Sequence, residues 1–302
     1  MVKCIKSRVS LVKSSGHFEG VQKSLAHIKY DVEKSLSETS SLIIKINLVI
    51  TRTPRYSGGV ELATTPFQSV KSFIDFIVPF YKGEITIAER ATWGKTVEGF
   101  EMYGFAELTE TNPQVKLLDI KEDEAIVKTV EYPEGTLKLP LSKAMMNTPF
   151  LVSICRPKTH CTVVASAGIK NVLVGAINGS WKERLQIHKG KSIHNVLARI
   201  ADFVYPDLTI VDGTNGMEGN GPIRGTEIKA GWTLASFDAL AADSLATHLM
   251  GFDTGDIKYL RILKEKGAGL FYPDDEIEMV GDKPEDVMIP FKPHRSFKKQ
   301  KG

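Results

Sequence analysis

The segment Cys155–His194, CRPKTHCTVVASAGIKNVLVGAINGSWKERLQIHKGKSIH, holds the densest set of reactive side-chain types in the chain. Arg156, Lys158 and His160 follow Cys155 within five residues, and Cys161 comes next. Such a set can bind an anion, and an imidazole that titrates near neutrality can serve there as acid, base or metal ligand. The same residues also suit a turn with two buried thiols and solvated cations, so the segment alone leaves both readings open. Lys170 stands among Ala165, Ala167, Ile169, Val172 and Leu173. Small apolar surroundings disfavour the charged form of a lysine, which makes its amine a candidate nucleophile or covalent tether. The alternative is a buried stem with the ammonium reaching water. Farther on, Trp181, Leu185 and His188 share one helical face, so His188 turns inward if Trp181 does, as a core residue or as a metal or substrate ligand. His194 falls off the stripe Ile193, Val196, Leu197, Ile200 and is expected to be exposed.

Lys45 and Asn47 lie two apart in an apolar run, so on a strand they leave the same face. A cation in so apolar a strand should sit near its end and meet an anion. With Thr64-Thr65-Pro66 opening the next helix, this resembles a carboxylate- or phosphate-binding corner at a helix N-terminus; the alternative is an edge position facing water. The loop DGTNGMEGNGPIRG, from Asp212 to Gly225, carries five glycines in fourteen residues. Backbone can approach a ligand closely there, with Gly219 and Gly221 forming an anion nest and Asp212 and Glu218 as candidate acidic groups. Asp238 and Asp243 read as a helix cap and a solvated charge.

Several familiar patterns are absent. Arg224 stands where a dinucleotide fingerprint needs its third glycine. Gly94-Lys95-Thr96 and Gly190-Lys191-Ser192 end like a P-loop, but Glu89 and Leu185 occupy the place of its first glycine. Cys155 and Cys161 are spaced too widely for a structural zinc pair. Three cysteines supply neither a disulfide framework nor the four thiolates of an in-chain iron–sulfur cluster.

The elements that must position these groups alternate between strand and helix periods. Strands are expected at Lys3–Val12, Leu42–Ile50, Ile85–Glu89, Val115–Ile120, Phe150–Cys155, Leu208–Val211 and Ile228–Ala235. Helices are expected at Val21–Leu36, from Pro66 with Thr65 as N-cap, at Thr96–Met102, Thr162–Val174, Trp181–Lys189, Ser192–Val204 and Asp238–Met250. Ser180 and Glu183 form a capping box. Ala125–Val130 and Thr136–Leu139 read as a hairpin within a β-rich excursion over 112–148. The fold class is therefore α/β: a mainly parallel sheet with helices on both faces, plus that excursion. One large domain over 1–290 is expected, followed by a basic, flexible and solvated tail over 291–302. Ligands of such sheets bind beyond the strands' carboxyl ends, where Cys155–His160 begins.

The composition is ordinary for a globular chain: 302 residues, 42% hydrophobic, 25% charged, with a formal net charge of +3. That charge is too small to mark a nucleic-acid binder. The most apolar run is interrupted by Lys45 and Asn47, so no membrane span is expected. The N-terminus has no apolar core of the kind a cleaved signal carries. A reduced, cytoplasmic protein is the expectation.

Taken in order, Lys45-x-Asn47, Thr64-Thr65-Pro66, Lys158-Thr159-His160, Gly168-Ile169-Lys170-Asn171, Asp212-Gly213, Glu218-Gly219-x-Gly221-Pro222 and Ser236-x-Asp238-x-x-x-x-Asp243 resemble the family catalogued as domain of unknown function 362. The resemblance runs from about residue 40 to residue 282. More distantly, His160, Lys170 and His188 resemble the nickel-pincer lactate racemase family, in which a histidine is followed ten residues on by a lysine and then by a further histidine. That resemblance implies an acid/base at His160, a cofactor tether at Lys170 and a nickel ligand at His188. Thr64-Thr65-Pro66 is similar to that family's Thr-Arg-Pro, with Thr65 in the arginine's place. Racemisation through a planar ketone needs a base on each face, and no histidine lies between His27 and His160.

The expected function is an enzyme acting on a small anionic substrate, with a divalent metal or a lysine-tethered cofactor as the implied helper. His160 and Lys170 would be catalytic and His188 the metal ligand. Lys45, Asn47, Lys158, Asp212, Glu218, Gly219 and Gly221 would bind cofactor or anion. The alternative is a non-catalytic metal- or anion-binding or redox-partner accessory protein. Nucleic-acid binding would rest on the basic tail alone.

Overall fold

The computed structural model describes residues 7–51, 60–187 and 193–300. In chain order the strands are β1 (Ser7–Lys13), β2 (Ser41–Lys45), β3 (Glu84–Glu89), β4 (Val115–Asp119), β5 (Ala125–Tyr132), β6 (Gly135–Ser142) and β7 (Leu151–Cys155). They continue with β8 (Lys158–His160), β9 (Val164–Ser166), β10 (Leu208–Gly213), β11 (Gly216–Asn220), β12 (Arg224–Ile228), β13 (Trp232–Ser236) and β14 (Ile277–Gly281). Among the described residues, eight of these form one sheet in the order β14-β1-β13-β10-β7-β2-β3-β4. Every pairing in it is parallel except the two made by β13.

Alternation along the strands splits the apolar residues between two cores. Leu42 and Ile44 of β2, with Val152 and Ile154 of β7, pack beneath Val21, Leu25, Val70, Phe73 and Ile74 of the helices His17–His27 and Phe67–Ile77. Ile43, Leu151 and Val211 face the opposite layer, where Ile169, Val172, Leu173, Val196, Leu197 and Leu240 come from the helices Gly168–Gly175, Ile193–Ile200 and Ala239–Leu249. Covering on both faces is why β2 is a nearly unbroken apolar run. This is the α/β architecture expected, including the hairpin of β5 and β6 as a separate two-stranded sheet.

The order of the strands locates a crevice. From β2 the chain moves outward through β3 to β4, whereas β7 and β10 lie on the other side of β2. The sheet therefore reverses its winding between β2 and β7, and ligands of open α/β sheets bind beyond the carboxyl ends at such a point. Lys45 closes β2 and Cys155 closes β7.

Local expectations fail where tertiary contacts overrule them. The helix expected over Thr162–Val174 begins only at Gly168, because β8 and β9 pair antiparallel, Lys158 with Ser166 and His160 with Val164. Gly168 also lies so close to β10 that a Cβ there would come within 2.3 Å of Thr209 Cγ2. The glycine-rich loop folds as the hairpin β11–β12, which joins β8 and β9 in a second, four-stranded sheet. Thr65 does not cap the helix after it. Its hydroxyl accepts the Asn47 amide at 2.9 Å and donates to the Ile154 carbonyl at 2.9 Å, tying the ends of β2 and β7 together. His194, expected in solvent, is buried: the helix Lys258–Glu265 covers it, with its ring stacked on Tyr259 and Nδ1 accepting the Tyr259 amide. Asp243, expected as a solvated charge, is buried as well.

The basic C-terminal segment docks rather than trailing into water. Phe291 is buried, the Phe297 ring lies 5.5 Å from that of Phe252, and Ser296 donates to the Cys161 carbonyl at 2.9 Å. Lys292, Arg295, Lys298 and Lys299 stay exposed while the aromatic and amide side chains between them turn inward. Among the described residues, no helix is long and apolar enough to cross a membrane.

Candidate functional site

A cavity of about 350 Å³ occupies the crevice at the β2–β7 reversal. Among the described residues, its charged lining consists of Lys45, Arg90, Lys158, Lys170 and Arg184 against one carboxylate, Glu89. His160 and Asn47 also line it, and Leu48, Val174 and Ile223 supply apolar wall. Cations outnumbering carboxylates five to one in a buried space are stable together only with compensating negative charge.

Lys45 reaches back from the end of β2 to Glu89 at the end of β3, Nζ to Oε2 at 2.8 Å, with both side chains almost fully buried. Glu89 also accepts the amides of Leu48 at 3.0 Å and Arg90 at 2.7 Å. Burial pulls the Lys45 ammonium below the ordinary lysine value, against the opposing pull of Glu89. The lysine stem passes over Gly175, where a Cβ would sit 2.1 Å from Lys45 Cε, so only glycine admits it. Asn171 joins the same corner. Its amide donates to the Lys45 carbonyl and to Ser153 Oγ, both at 3.1 Å, and its oxygen accepts from Asn47 at 3.4 Å.

Lys170 and Val174 project one turn apart from the helix Gly168–Gly175 onto the cavity. Asp243 fixes the start of that helix, accepting the amides of Gly168 at 2.8 Å and Ile169 at 3.1 Å. Lys170 is 8% exposed, and among the described residues its ammonium has no hydrogen-bond or ion-pair partner. Burial pushes it down to about 8, aided by the Arg184 charge and opposed by Cys161. Lys158 is pushed down to about 8 by burial too, but its Nζ donates to the Ala63 carbonyl at 2.8 Å. Arg184 donates to the carbonyls of Arg90 at 3.2 Å and Val174 at 3.1 Å. Burial and Arg90 bring it to about 10, so it remains a cation at neutral pH.

His160 ends β8 on the cavity wall and is 2% exposed. Its Nδ1 accepts the Thr162 amide at 3.1 Å, so in the neutral ring the proton resides on Nε2. A neutral imidazole of that tautomer presents Nε2–H as a hydrogen-bond donor.

Five expected residues thus converge on one cavity: Lys45, Asn47, Lys158, His160 and Lys170. Gly221 contributes indirectly. A Cβ there would lie 2.1 Å from the Thr159 carbonyl, and the close approach brings Pro222 and Ile223 to the wall. Asp212, Glu218 and Gly219 do not line it. The Asp212 carboxylate accepts from His17 Nδ1 at 2.6 Å, from Ser69 and from the Thr214 amide at 3.0 Å. Burial alone would raise it, but His17 with those donors holds it below the ordinary carboxylate value. Glu218 accepts the Lys292 amide at 2.7 Å, and Gly219 donates to the Lys292 carbonyl at 2.7 Å, so both fasten the C-terminal segment.

His188 lies outside the described residues. Among those described, no group of three or more His, Cys, Asp or Glu side chains is placed to hold a metal. Lys170 suits the tether that the pincer resemblance implies, but the described donors do not complete a metal site, and no step below runs through one.

Glu89, Arg90, Asn171 and Arg184 were missed in the sequence. The signal for Glu89 was present: a second apolar strand ends in Glu89-Arg90 just as the first ends in Lys45, and parallel neighbours in matching register bring those ends together. Arg184 lies three residues after Trp181, a spacing that offered no separate signal of its role.

A stretch of 122 residues is 32% identical to a thylakoid-associated protein of Synechocystis sp., covering 39% of this chain and 38% of that protein. Among solved structures, the lactate racemase apoprotein of Thermoanaerobacterium thermosaccharolyticum is similar at 15% identity and a TM-score of 0.43, covering 68% of this chain and 49% of that one. A protein of Thermotoga maritima is similar at 11% identity and a TM-score of 0.42, covering 82% and 57%. The chain therefore spans well under two thirds of each of these proteins. The family model described as a domain of unknown function (DUF362) matches residues 42–248, most of the sequence, and the chain belongs to that family.

Proposed function

We propose that the protein is an enzyme acting on a small anionic substrate held in the crevice between the ends of β2 and β7. The observation that carries this reading is the cavity's charge: among the described residues, Lys45, Arg90, Lys158, Lys170 and Arg184 against Glu89. Lys45 and Glu89 neutralise each other, so positive charge still predominates around a ligand. An anionic group entering there exchanges water for several fixed donors in a space of low dielectric. His160 is the acid/base of the reaction, and a positioned base contributes typically about 10²–10⁴-fold. Lys170 supplies an amine that is neutral in part near pH 8. A reducing, cytoplasmic setting belongs to the same proposal and agrees with two unpaired thiols, Cys155 and Cys161.

A screen of small carboxylates and phosphate esters for turnover tests this reading, run with His160→Ala and Lys170→Ala alongside the unaltered protein. Both variants are expected to keep their fold and lose turnover; full turnover in both removes the proposal. A second reading, an accessory protein that binds the anion without converting it, is favoured by one feature. Lys158 already gives a hydrogen bond to the Ala63 carbonyl, as a structural lysine would. Stoichiometric ligand retention without turnover is its mark.

A further inference from the structure

We propose that Lys170 forms an imine with an anionic carbonyl compound, a short 2-oxo acid, whose carboxylate is held by the neighbouring cations of the cavity. The role depends on the anion-site reading above and adds to it a substrate class and a covalent step.

The geometry separates Lys170 from the other buried lysines. Lys45 is paired with Glu89, and Lys158 is bound to the Ala63 carbonyl. Lys170 is more than nine-tenths buried on the cavity wall, and among the described residues nothing accepts from its ammonium. A permanently charged group in that position would carry an uncompensated desolvation cost, whereas a neutral amine would not. Desolvation beside another cation is a recognised way to turn lysine into a nucleophile for carbonyl groups. Arg184 is that cation here. The amine is also held in place, because Asp243 anchors the first turn of its helix two residues upstream.

The chemistry balances without an outside oxidant or reductant. The neutral Lys170 amine attacks the carbonyl carbon, and a proton passes from nitrogen to the carbonyl oxygen to give a carbinolamine. The hydroxyl then leaves as water with the proton that remains on the carbinolamine nitrogen, while the His160 Nε2–H hydrogen-bonds the departing oxygen, and the carbon–nitrogen double bond forms. Hydrolysis reverses each step and returns the free Lys170 amine. Leu48, Val174 and Ile223 give the short carbon chain an apolar wall.

The test is reductive trapping on the full chain. Pyruvate or glyoxylate is added with borohydride, followed by intact mass measurement and peptide mapping, while reversible binding of the same acids is measured without reductant. The expected result is one adduct, with the mass of the acid less one oxygen, mapped to Lys170. In Lys170→Arg the adduct should fall about tenfold or more, because the charge is kept and the primary amine is lost. An adduct mapped to another lysine, or one undiminished in Lys170→Arg, overturns the imine. Reversible binding with no adduct also overturns it and leaves the anion site standing. Neither binding nor adduct defeats both.

Discussion

Asp243 accepts the Gly168 amide at 2.8 Å, so a carboxylate from the helix Ala239–Leu249 caps the helix that carries Lys170. Burial pushes the Asp243 carboxyl up to about 7, although the Ile169 and Gly168 amides pull the other way. A carboxyl whose folded pKa is raised favours the fold in its protonated form. Its stabilisation is full below the ordinary value near 3.8 and is lost as pH rises through about 7. Carrying a carboxyl over that interval corresponds to roughly 4 kcal/mol as an upper bound. Urea titrations should therefore show stability declining from about pH 4 to about pH 7 and levelling above, and Asp243→Asn should flatten that slope. A slope unchanged in the variant would refute the assignment.

The Lys45–Glu89 pair predicts an asymmetry between single and double substitutions. Glu89→Ala leaves Lys45 charged and buried and should cost about 3–5 kcal/mol. Replacing both by methionine removes the ion together with its partner and should recover much of that loss. Denaturant midpoints of the two variants and the unaltered protein decide the matter. A double variant no more stable than Glu89→Ala would contradict the pairing.

Anion affinity should depend on pH through Lys158 and Lys170, both pushed down to about 8 by burial. Each loses its charge as pH rises through that value, and with it part of the attraction for a carboxylate or phosphate. Calorimetric affinity for an anion is expected to fall about tenfold from about pH 7 to about pH 9. Imine trapping should rise over the lower part of the same range as Lys170 becomes neutral, then fall as binding fails. Affinity that is flat with pH would show that neither lysine meets the anion.

The C-terminal segment should act as a brace for the His160 turn. Gln300 accepts the Val164 amide at 2.5 Å and donates to the His160 carbonyl at 3.1 Å. Val164 has φ of +64°, a conformation that costs a β-branched residue on the order of 1–3 kcal/mol and persists only when its surroundings enforce it. Gln300→Ala is expected to speed hydrogen exchange at the Val164 amide and leave β2, β3 and β7 unchanged. Unaltered exchange at Val164 would remove the brace.

What could be read in the sequence was local chemistry. The Ser180–Glu183 capping box forms, with each residue receiving the other's amide. Asp238 caps its helix through the Ala241 amide, and the β5–β6 hairpin folds around Pro133-Glu134-Gly135. Lys45 does meet an anion at a strand end, as burial of a lone charge requires. Features set by distant partners were hidden. Asp243 looks solvated until the Gly168 helix is placed against it. His194 looks exposed until the helix Lys258–Glu265 covers a second face of its own helix. Thr65 reads as a helix cap because nothing local shows that Asn47 and Ile154 will claim its hydroxyl.

Calorimetric titration with orthophosphate, oxalate and pyruvate near neutral pH bears most directly on the cationic crevice. At least one of these anions should bind saturably at one site per chain, and Arg184→Gln and Lys170→Met should each weaken it about tenfold. Absence of saturable binding by all three, or affinity indifferent to both substitutions, would contradict the assignment of this cavity to an anionic ligand.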